Sequence, residues 1–199
     1  CAYCDYQAKS GNRAVRDELN QKYLNDDLLR RVEASRASGG RAEGLPSLLE
    51  VRAGNLCNLK CNSCWGLSSS RLQAEHAEGA SGKIDGLPDF LRKLWVKQLA
   101  KIEGGDFAWA QSESYLPSVK KIGPGLDRIY FAGGEPMLQP LVRETLRELA
   151  VLGRKDLQVA FNTNLTVVDS ELLDLLDGFQ RVEVNGSLDG MGLATEYLR

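Results

Sequence analysis

Three cysteines, Cys57, Cys61 and Cys64, lie within eight residues of the sequence. Thiolates at this spacing are suitable ligands for zinc or for an iron–sulfur cluster. A structural zinc site normally uses four ligands, and His76, the single histidine of the chain, is a candidate for the fourth. Three thiolates alone would suit a cluster in which one iron stays open for a substrate. The same spacing also fits one face of a helix, so three buried core cysteines are the structural alternative.

The residues around the cysteines favour a loop. The β-prone run "LLEVRAGN" (48–55) ends at Gly54 and Asn55, directly before the cysteines. Asn58 and Asn62 lie between them, and such polar residues indicate an exposed turn more than a helix face in a core. The local sequence therefore favours metal binding over core packing.

The segments around this loop alternate between strand and helix patterns. Amphipathic helices are predicted over 140–153 and 170–179, with Ser170 as the N-cap of the second. The predicted strands are 48–55, 128–134, 156–164 and 181–190. This alternation predicts an α/β fold with a parallel sheet and helices outside it.

In such a sheet, chemistry gathers on the loops beyond the carboxyl ends of the strands. The unusual residue clusters of this chain all fall there: 57–64, 133–136, 162–164 and 187–190. In "FAGGEP" (131–136), Gly133 and Gly134 permit close backbone approach or a positive φ. Glu135 then places a carboxylate at the edge of the sheet, where it could accept hydrogen bonds from an amine, and Pro136 stiffens the exit.

The combination of "CNLKCNSC", "GGEP", "NTN" and "SLDG", each after one of the four strands, resembles the radical S-adenosylmethionine (radical SAM) superfamily over residues 47–190. The resemblance implies a partial (β/α) barrel of the radical SAM type, with its first four βα units present. Because that barrel normally has six strands, and because the sequence begins at Cys1 rather than Met, we expect the chain to be truncated at both ends.

The resemblance implies that Cys57, Cys61 and Cys64 hold a 4Fe–4S cluster whose fourth iron binds S-adenosylmethionine. A reduced donor such as flavodoxin or ferredoxin would supply the electron that cleaves this cosubstrate, and the resulting radical would abstract a substrate hydrogen. The residues that it assigns to the cosubstrate are Gly133, Gly134, Glu135 and Pro136 for the amine, Ser187 and Asp189 for the ribose, and Asn164 and Trp65 nearby.

Some of these assignments have alternatives. Ser187 and Asp189 also fit an ordinary turn, and Trp65 also fits an amphipathic core position. Leu165 occupies the place of the glycine that usually follows Thr-Asn in the superfamily, which weakens the assignment of Asn164.

The domain prediction is an N-terminal helical extension over 1–46 and a core over 47–199 that contains a helical insert at 65–127. The pair Cys1 and Cys4 suits a redox pair, zinc or a cluster. Beside a radical SAM core it resembles half of an auxiliary cluster site, as in the SPASM and twitch subfamilies. By the same analogy, a peptide or protein is the expected substrate.

The composition of the chain limits the kinds of partner that it is expected to bind. A net charge of −2 gives no electrostatic case for nucleic acid or an anionic membrane, and no apolar run reaches the ~20 residues that span a bilayer. Five unevenly spaced cysteines and the lack of a basic-then-apolar leader favour a reducing compartment, the cytoplasm. The sequence therefore predicts a radical SAM enzyme, oxidoreductase-like or peptide-modifying, with a zinc-stabilised interaction module as the alternative.

Overall fold

The structure is a computed structural model that describes residues 6–7, 9–103, 107–167 and 169–198. The chain divides into two compact units, Cys1–Gly44 and Leu45–Arg199. Cys1 and Cys4, the expected half-site of an auxiliary cluster, lie outside the described residues.

Between residues 9 and 44, the described part of the first unit includes the helices α1 (Val15–Tyr23) and α2 (Asp26–Ala37). The chain can begin α2 because the side chain of Asn25 accepts a hydrogen bond from the backbone N–H of Leu28 at 2.8 Å, which satisfies one of the donors left open at a helix start.

The second unit is built on a four-stranded parallel sheet in the order β1-β2-β3-β4, counted over the described residues. The strands are β1 (Leu48–Arg52), β2 (Arg128–Ala132), β3 (Gln158–Thr163) and β4 (Arg181–Gly186). The predicted α/β class with a parallel sheet is thus confirmed. Because sequential strands are neighbours, their carboxyl ends lie side by side at one edge.

Helices lie between the strands and after the last one. The connection from β1 to β2 contains α3 (Ser70–Ala80), α4 (Asp89–Glu103) and α5 (Tyr115–Ile122). Helix α6 (Pro140–Val151) connects β2 to β3, α7 (Ser170–Asp177) connects β3 to β4, and α8 (Leu193–Leu198) follows β4. Short 3₁₀ helices lie at Ala108–Gln111, Gly123–Gly125 and Pro136–Leu138. Across the described part of the chain, no helix combines the length and the apolar character needed to cross a membrane.

The hydrophobic core lies between one face of the sheet and helices α6 and α7. Phe131 and Phe161 stack at 5.3 Å between ring centroids on neighbouring strands, and Leu146 of α6 packs in the same fully buried cluster. Burying each such side chain stabilises the fold by about 1.5–3 kcal/mol. This packing fixes the strands and therefore the positions of the loops that follow them.

The predicted N-cap of α7 is wrong by one residue. Ser170 is the first residue of the helix, whereas the side chain of Asp169 accepts a hydrogen bond from the backbone N–H of Leu172 at 3.2 Å. Asp169 is favoured because its carboxylate also forms an ion pair with Arg143 of α6, which a serine hydroxyl could not do. The guanidinium of Arg143 lowers the pKa of Asp169, so the cap stays charged.

Substitutions at Asp169 and at Ser170 should therefore have different effects on the free energy of unfolding. We expect Asp169→Ala to lower the free energy of unfolding by about 1–2 kcal/mol, because α7 loses its cap and its pairing with α6. The control Ser170→Ala should change it by less than about 0.5 kcal/mol. Urea denaturation followed by circular dichroism measures both, and equal effects of the two substitutions would contradict the assignment.

Candidate functional site

The three cysteines lie in a loop, as predicted. Residues 53–64 form neither helix nor strand, and Cys57, Cys61 and Cys64 are each partly buried. The alternative in which they share a helix face inside the core is therefore wrong. All three line one cavity of about 330 Å³ at the carboxyl edge of the sheet.

The same cavity gathers most of the residues expected near a cosubstrate. Besides the cysteines, its lining includes Gly133, Gly134, Asn164, Ser187 and Asp189. These residues follow all four strands of the sheet, so the parallel register brings them together. Glu135, Pro136 and Trp65 are not among the described residues that line it.

The thiol groups affect one another electrostatically. Burial raises the pKa of Cys64, and negative charge on Cys61, Cys57 and Asp189 raises it further. A hydrogen bond with the backbone of Trp65 acts in the opposite direction. A cation placed among these groups would relieve the repulsion and favour the thiolate form that binds metals.

The Gly-Gly turn holds the cysteine loop through the backbone. The N–H of Gly134 donates to the carbonyl of Gly54 at 3.0 Å, and the N–H of Glu135 donates to the carbonyl of Leu56 at 2.7 Å. A Cβ at Gly134 would lie 2.3 Å from the Leu56 carbonyl oxygen, far inside van der Waals contact. Gly133 has φ +108°, which also favours glycine. The glycines are thus required by the loop that carries the cysteines.

The sequence predicts that the carboxylate of Glu135 lies open at the edge of the sheet, but the structure places it elsewhere. Its side chain is fully buried (0% exposed). Oε1 accepts hydrogen bonds from the Met137 N–H at 3.0 Å and the Thr163 hydroxyl at 2.7 Å, and Oε2 accepts from the Asn164 N–H at 2.7 Å. The chain turns into the 3₁₀ helix that begins at Pro136, so the carboxylate folds back to cap it. Glu135 therefore joins the ends of β2 and β3.

Asn164 connects the third strand to the cysteine loop. Its Nδ2 donates to Asn58 Oδ1 at 2.9 Å and lies 3.8 Å from the sulfur of Cys57. The next residue, Leu165, has φ +60°, the left-handed region in which the superfamily resemblance would place a glycine. A leucine in this conformation costs roughly 1–2 kcal/mol. The turn therefore has a conformation that favours glycine, although a leucine occupies the position.

Two residues that the sequence motifs do not indicate, Ser69 and Arg71, hold the loop from the other side. The hydroxyl of Ser69 donates to the carbonyl of Leu59 at 2.6 Å, and Arg71 Nη1 donates to that of Asn58 at 2.8 Å. Ser69 is also the N-cap of α3. The run "SSSR" before a helical pattern is an N-cap signal that could have located this helix start.

Two other candidates have different surroundings from those expected. Trp65 is half exposed, which does not fit a core position. His76 is buried on α3 and stacks on Trp95 at 4.4 Å between ring centroids, and it is absent from the described residues that line the cysteine cavity. The structure therefore does not place His76 as a fourth ligand in that cavity.

Over its described residues, the cysteine cavity does not have the arrangement of a site for a single metal ion. Within 6–7, 9–103, 107–167 and 169–198, no three or more His, Cys, Asp or Glu side chains group closely enough to hold one metal ion. Comparisons of the chain with protein-family models, curated proteins and solved structures find no match.

The contact between the Gly-Gly turn and the cysteine loop can be tested with two glycines. Gly134→Ala should destabilise the protein by about 1–3 kcal/mol, because the new methyl group displaces the Leu56 carbonyl. Gly54→Ala is the matched control, since a Cβ there meets only the Gln139 side chain at 3.5 Å or more. Urea denaturation compares the two, and a Gly134→Ala protein as stable as the control would contradict the close approach.

The buried carboxylate gives a second prediction. Glu135→Gln should cost about 1–3 kcal/mol of stability, because the side-chain amide cannot accept all three hydrogen bonds and must direct an N–H group toward a donor. The exposed Glu144→Gln in α6 is a control for the loss of one negative charge and should change stability by less than about 0.5 kcal/mol. Thermal or urea unfolding measures both, and equal stability would show that Glu135 is not the acceptor.

Proposed function

We propose that this chain is a radical SAM enzyme that binds a 4Fe–4S cluster through Cys57, Cys61 and Cys64, and that its sheet is part of a (β/α) barrel of that type. One observation carries the proposal. The three thiols, the Gly-Gly turn after β2, Asn164 after β3 and the Ser187–Asp189 turn after β4 line a single cavity.

The donor set suits a cluster better than a single ion. A 4Fe–4S cluster binds each thiolate through a different iron, so its ligands need not converge on one point. A structural zinc ion requires four ligands around one centre, and His76 does not line the cavity. Three cysteines leave one iron of the cluster with an open coordination position.

The cavity also suits the cosubstrate. Its volume of about 330 Å³ lies at the lower end of ordinary ligand pockets. Gly133 and Gly134 line it without side chains, so a cosubstrate amine could approach the backbone of the turn closely. The hydroxyl of Ser187 and the carboxylate of Asp189 match the hydrogen-bonding needs of ribose hydroxyls.

The chemistry divides between the bound groups and the chain. A reduced cluster held by Cys57, Cys61 and Cys64 would supply the one-electron chemistry for reductive cleavage of S-adenosylmethionine and for hydrogen abstraction from a substrate. The cysteines hold the cluster and the glycine turn orients the cosubstrate, while Glu135 keeps that turn in place through the bonds described above. The electron donor we expect is a reduced flavodoxin or ferredoxin, which favours a cytoplasmic location.

Anaerobic reconstitution with iron and sulfide tests the proposal. The chain should take up about four irons at the core site, become coloured, and release 5′-deoxyadenosine and methionine from S-adenosylmethionine when dithionite is added. Cys61→Ala should lose the core iron and the cleavage together, because one corner of the cluster has no ligand. The control Cys4→Ala leaves the three core cysteines intact and should keep both.

Two outcomes would decide against the proposal. Full core iron in Cys61→Ala would refute the ligand assignment. A colourless protein with one zinc per chain would favour the zinc-stabilised interaction module. If the chain takes up more iron than one cluster contains, and that excess iron is lost in the Cys1→Ala/Cys4→Ala variant, the result would support the auxiliary cluster expected from the sequence.

A further inference from the structure

The face of the sheet opposite the core is polar. Parallel strands covered on both faces are usually apolar throughout, but these strands alternate, as in "LLEVR" and "RIYFA". Phe131 points into the core with Phe161. The alternate positions carry polar groups, with Glu50 beside Tyr130 on the neighbouring strand.

Side chains of three strands interact across this face. Glu183 Oε2 on β4 accepts a hydrogen bond from Gln158 on β3 at 2.9 Å and pairs with Arg128 on β2 at 3.3 Å. The guanidinium of Arg128 also lies 5.9 Å from the ring centre of Tyr130. Such a network does not form a hydrophobic core, so this face suits contact with water or a polar ligand.

Arg52, at the end of β1, lies where two cavities meet. It lines the cysteine cavity and also a neighbouring cavity of about 590 Å³. Its side chain is 69% exposed, and its Nε donates to Glu50 Oε1 at 2.6 Å. That bond uses one of the five N–H donors of the guanidinium. The remaining donors can form the paired hydrogen bonds that a carboxylate accepts.

The neighbouring cavity has an aromatic wall. Phe107 and Trp109 line it, and Trp109 is 40% exposed. The indole ring is positioned by Tyr115, at 5.3 Å between centroids and an interplanar angle of 56°. Tyr115 is in turn tied to Thr145 of α6 by a 3.1 Å hydrogen bond. A partly exposed ring held by the core offers a flat apolar contact surface.

We propose that this neighbouring cavity is the substrate site, and that it takes a carboxylic acid with an aromatic or flat apolar body. Arg52 pairs with the carboxylate while Trp109 and Phe107 contact the body. The assignment rests on the proposed function, because only then does the adjoining cysteine cavity hold the reactive group.

A carboxylate fits this site better than a phosphate. Glu50 lies against the guanidinium and offsets part of its charge. Because the Arg52–Glu50 pair has little net charge, it offers little attraction to offset the desolvation of a phosphate with nearly two negative charges, which costs more than that of a singly charged carboxylate. The charge of the site thus favours the monoanion.

Ligand-observed NMR on the full chain without cluster tests this with three probes: indole-3-acetate, indole-3-acetamide and benzylphosphonate. The acid should bind more tightly than the amide or the phosphonate. Arg52→Gln should weaken binding of the acid about ten- to hundred-fold while changing that of the amide little. Trp109→Leu should weaken both, and the control Arg147→Gln, an exposed arginine on α6, should weaken neither.

Several results would overturn the inference. The first is that the acid and the amide bind equally, that the phosphonate binds more tightly than the acid, or that no probe binds. The second is that Arg52→Gln leaves binding of the acid unchanged, or that Arg147→Gln weakens it as much as Arg52→Gln does. Circular dichroism of each variant confirms folding. Cluster loading and cosubstrate cleavage without acid binding would refute this inference alone, whereas Arg52-dependent binding without cleavage would refute the proposed function and leave a carboxylate site.

Discussion

Two backbone hydrogen bonds hold the cysteine loop against the turn after β2, and the arrangement of the cavity depends on them. They run from the N–H groups of Gly134 and Glu135 to the carbonyls of Gly54 and Leu56. They continue the pairing of β1 with β2 beyond the end of the sheet. Since they form only when position 134 has no Cβ, a single glycine determines how closely the loop approaches the neighbouring strand.

A buried carboxylate complements this backbone contact. Glu135 accepts hydrogen bonds from the 3₁₀ helix that follows it and from the end of β3, so it couples the second and third connections of the sheet. Asn164, whose N–H is one of these donors, also reaches the cysteine loop through Asn58. Loops after three strands are therefore parts of one hydrogen-bonded unit, and their side chains share a cavity because their backbones are joined.

The fold class and the strand positions could be predicted because they depend on local periodicity. Each apolar or alternating run ends near a glycine or a polar turn, and the strands stop within a few residues of those points. The gathering of the cysteines with Gly133 and Ser187 followed from the parallel order alone. Side-chain direction could not be predicted in this way, because a motif specifies a residue type at a position and not the partner it meets.

Three residues illustrate that limit. Glu135 folds inward because its nearest donors are in its own turn and on β3. Asp169 rather than Ser170 caps α7, since Arg143 from another helix adds a partner that local sequence does not reveal. Ser69 holds the loop through a carbonyl ten residues away, a contact that spacing alone does not indicate.

The cysteine loop is held largely by its own carbonyl oxygens, at Gly54, Leu56, Cys57, Asn58 and Leu59. Every residue type carries a carbonyl, so these attachments do not depend on which side chains lie between the cysteines. Substitutions at Leu56, Leu59 and Lys60 would therefore leave these carbonyl contacts in place. The position of the sulfur atoms depends instead on the glycines, on the length of the loop and on the groups outside it that donate to its carbonyls.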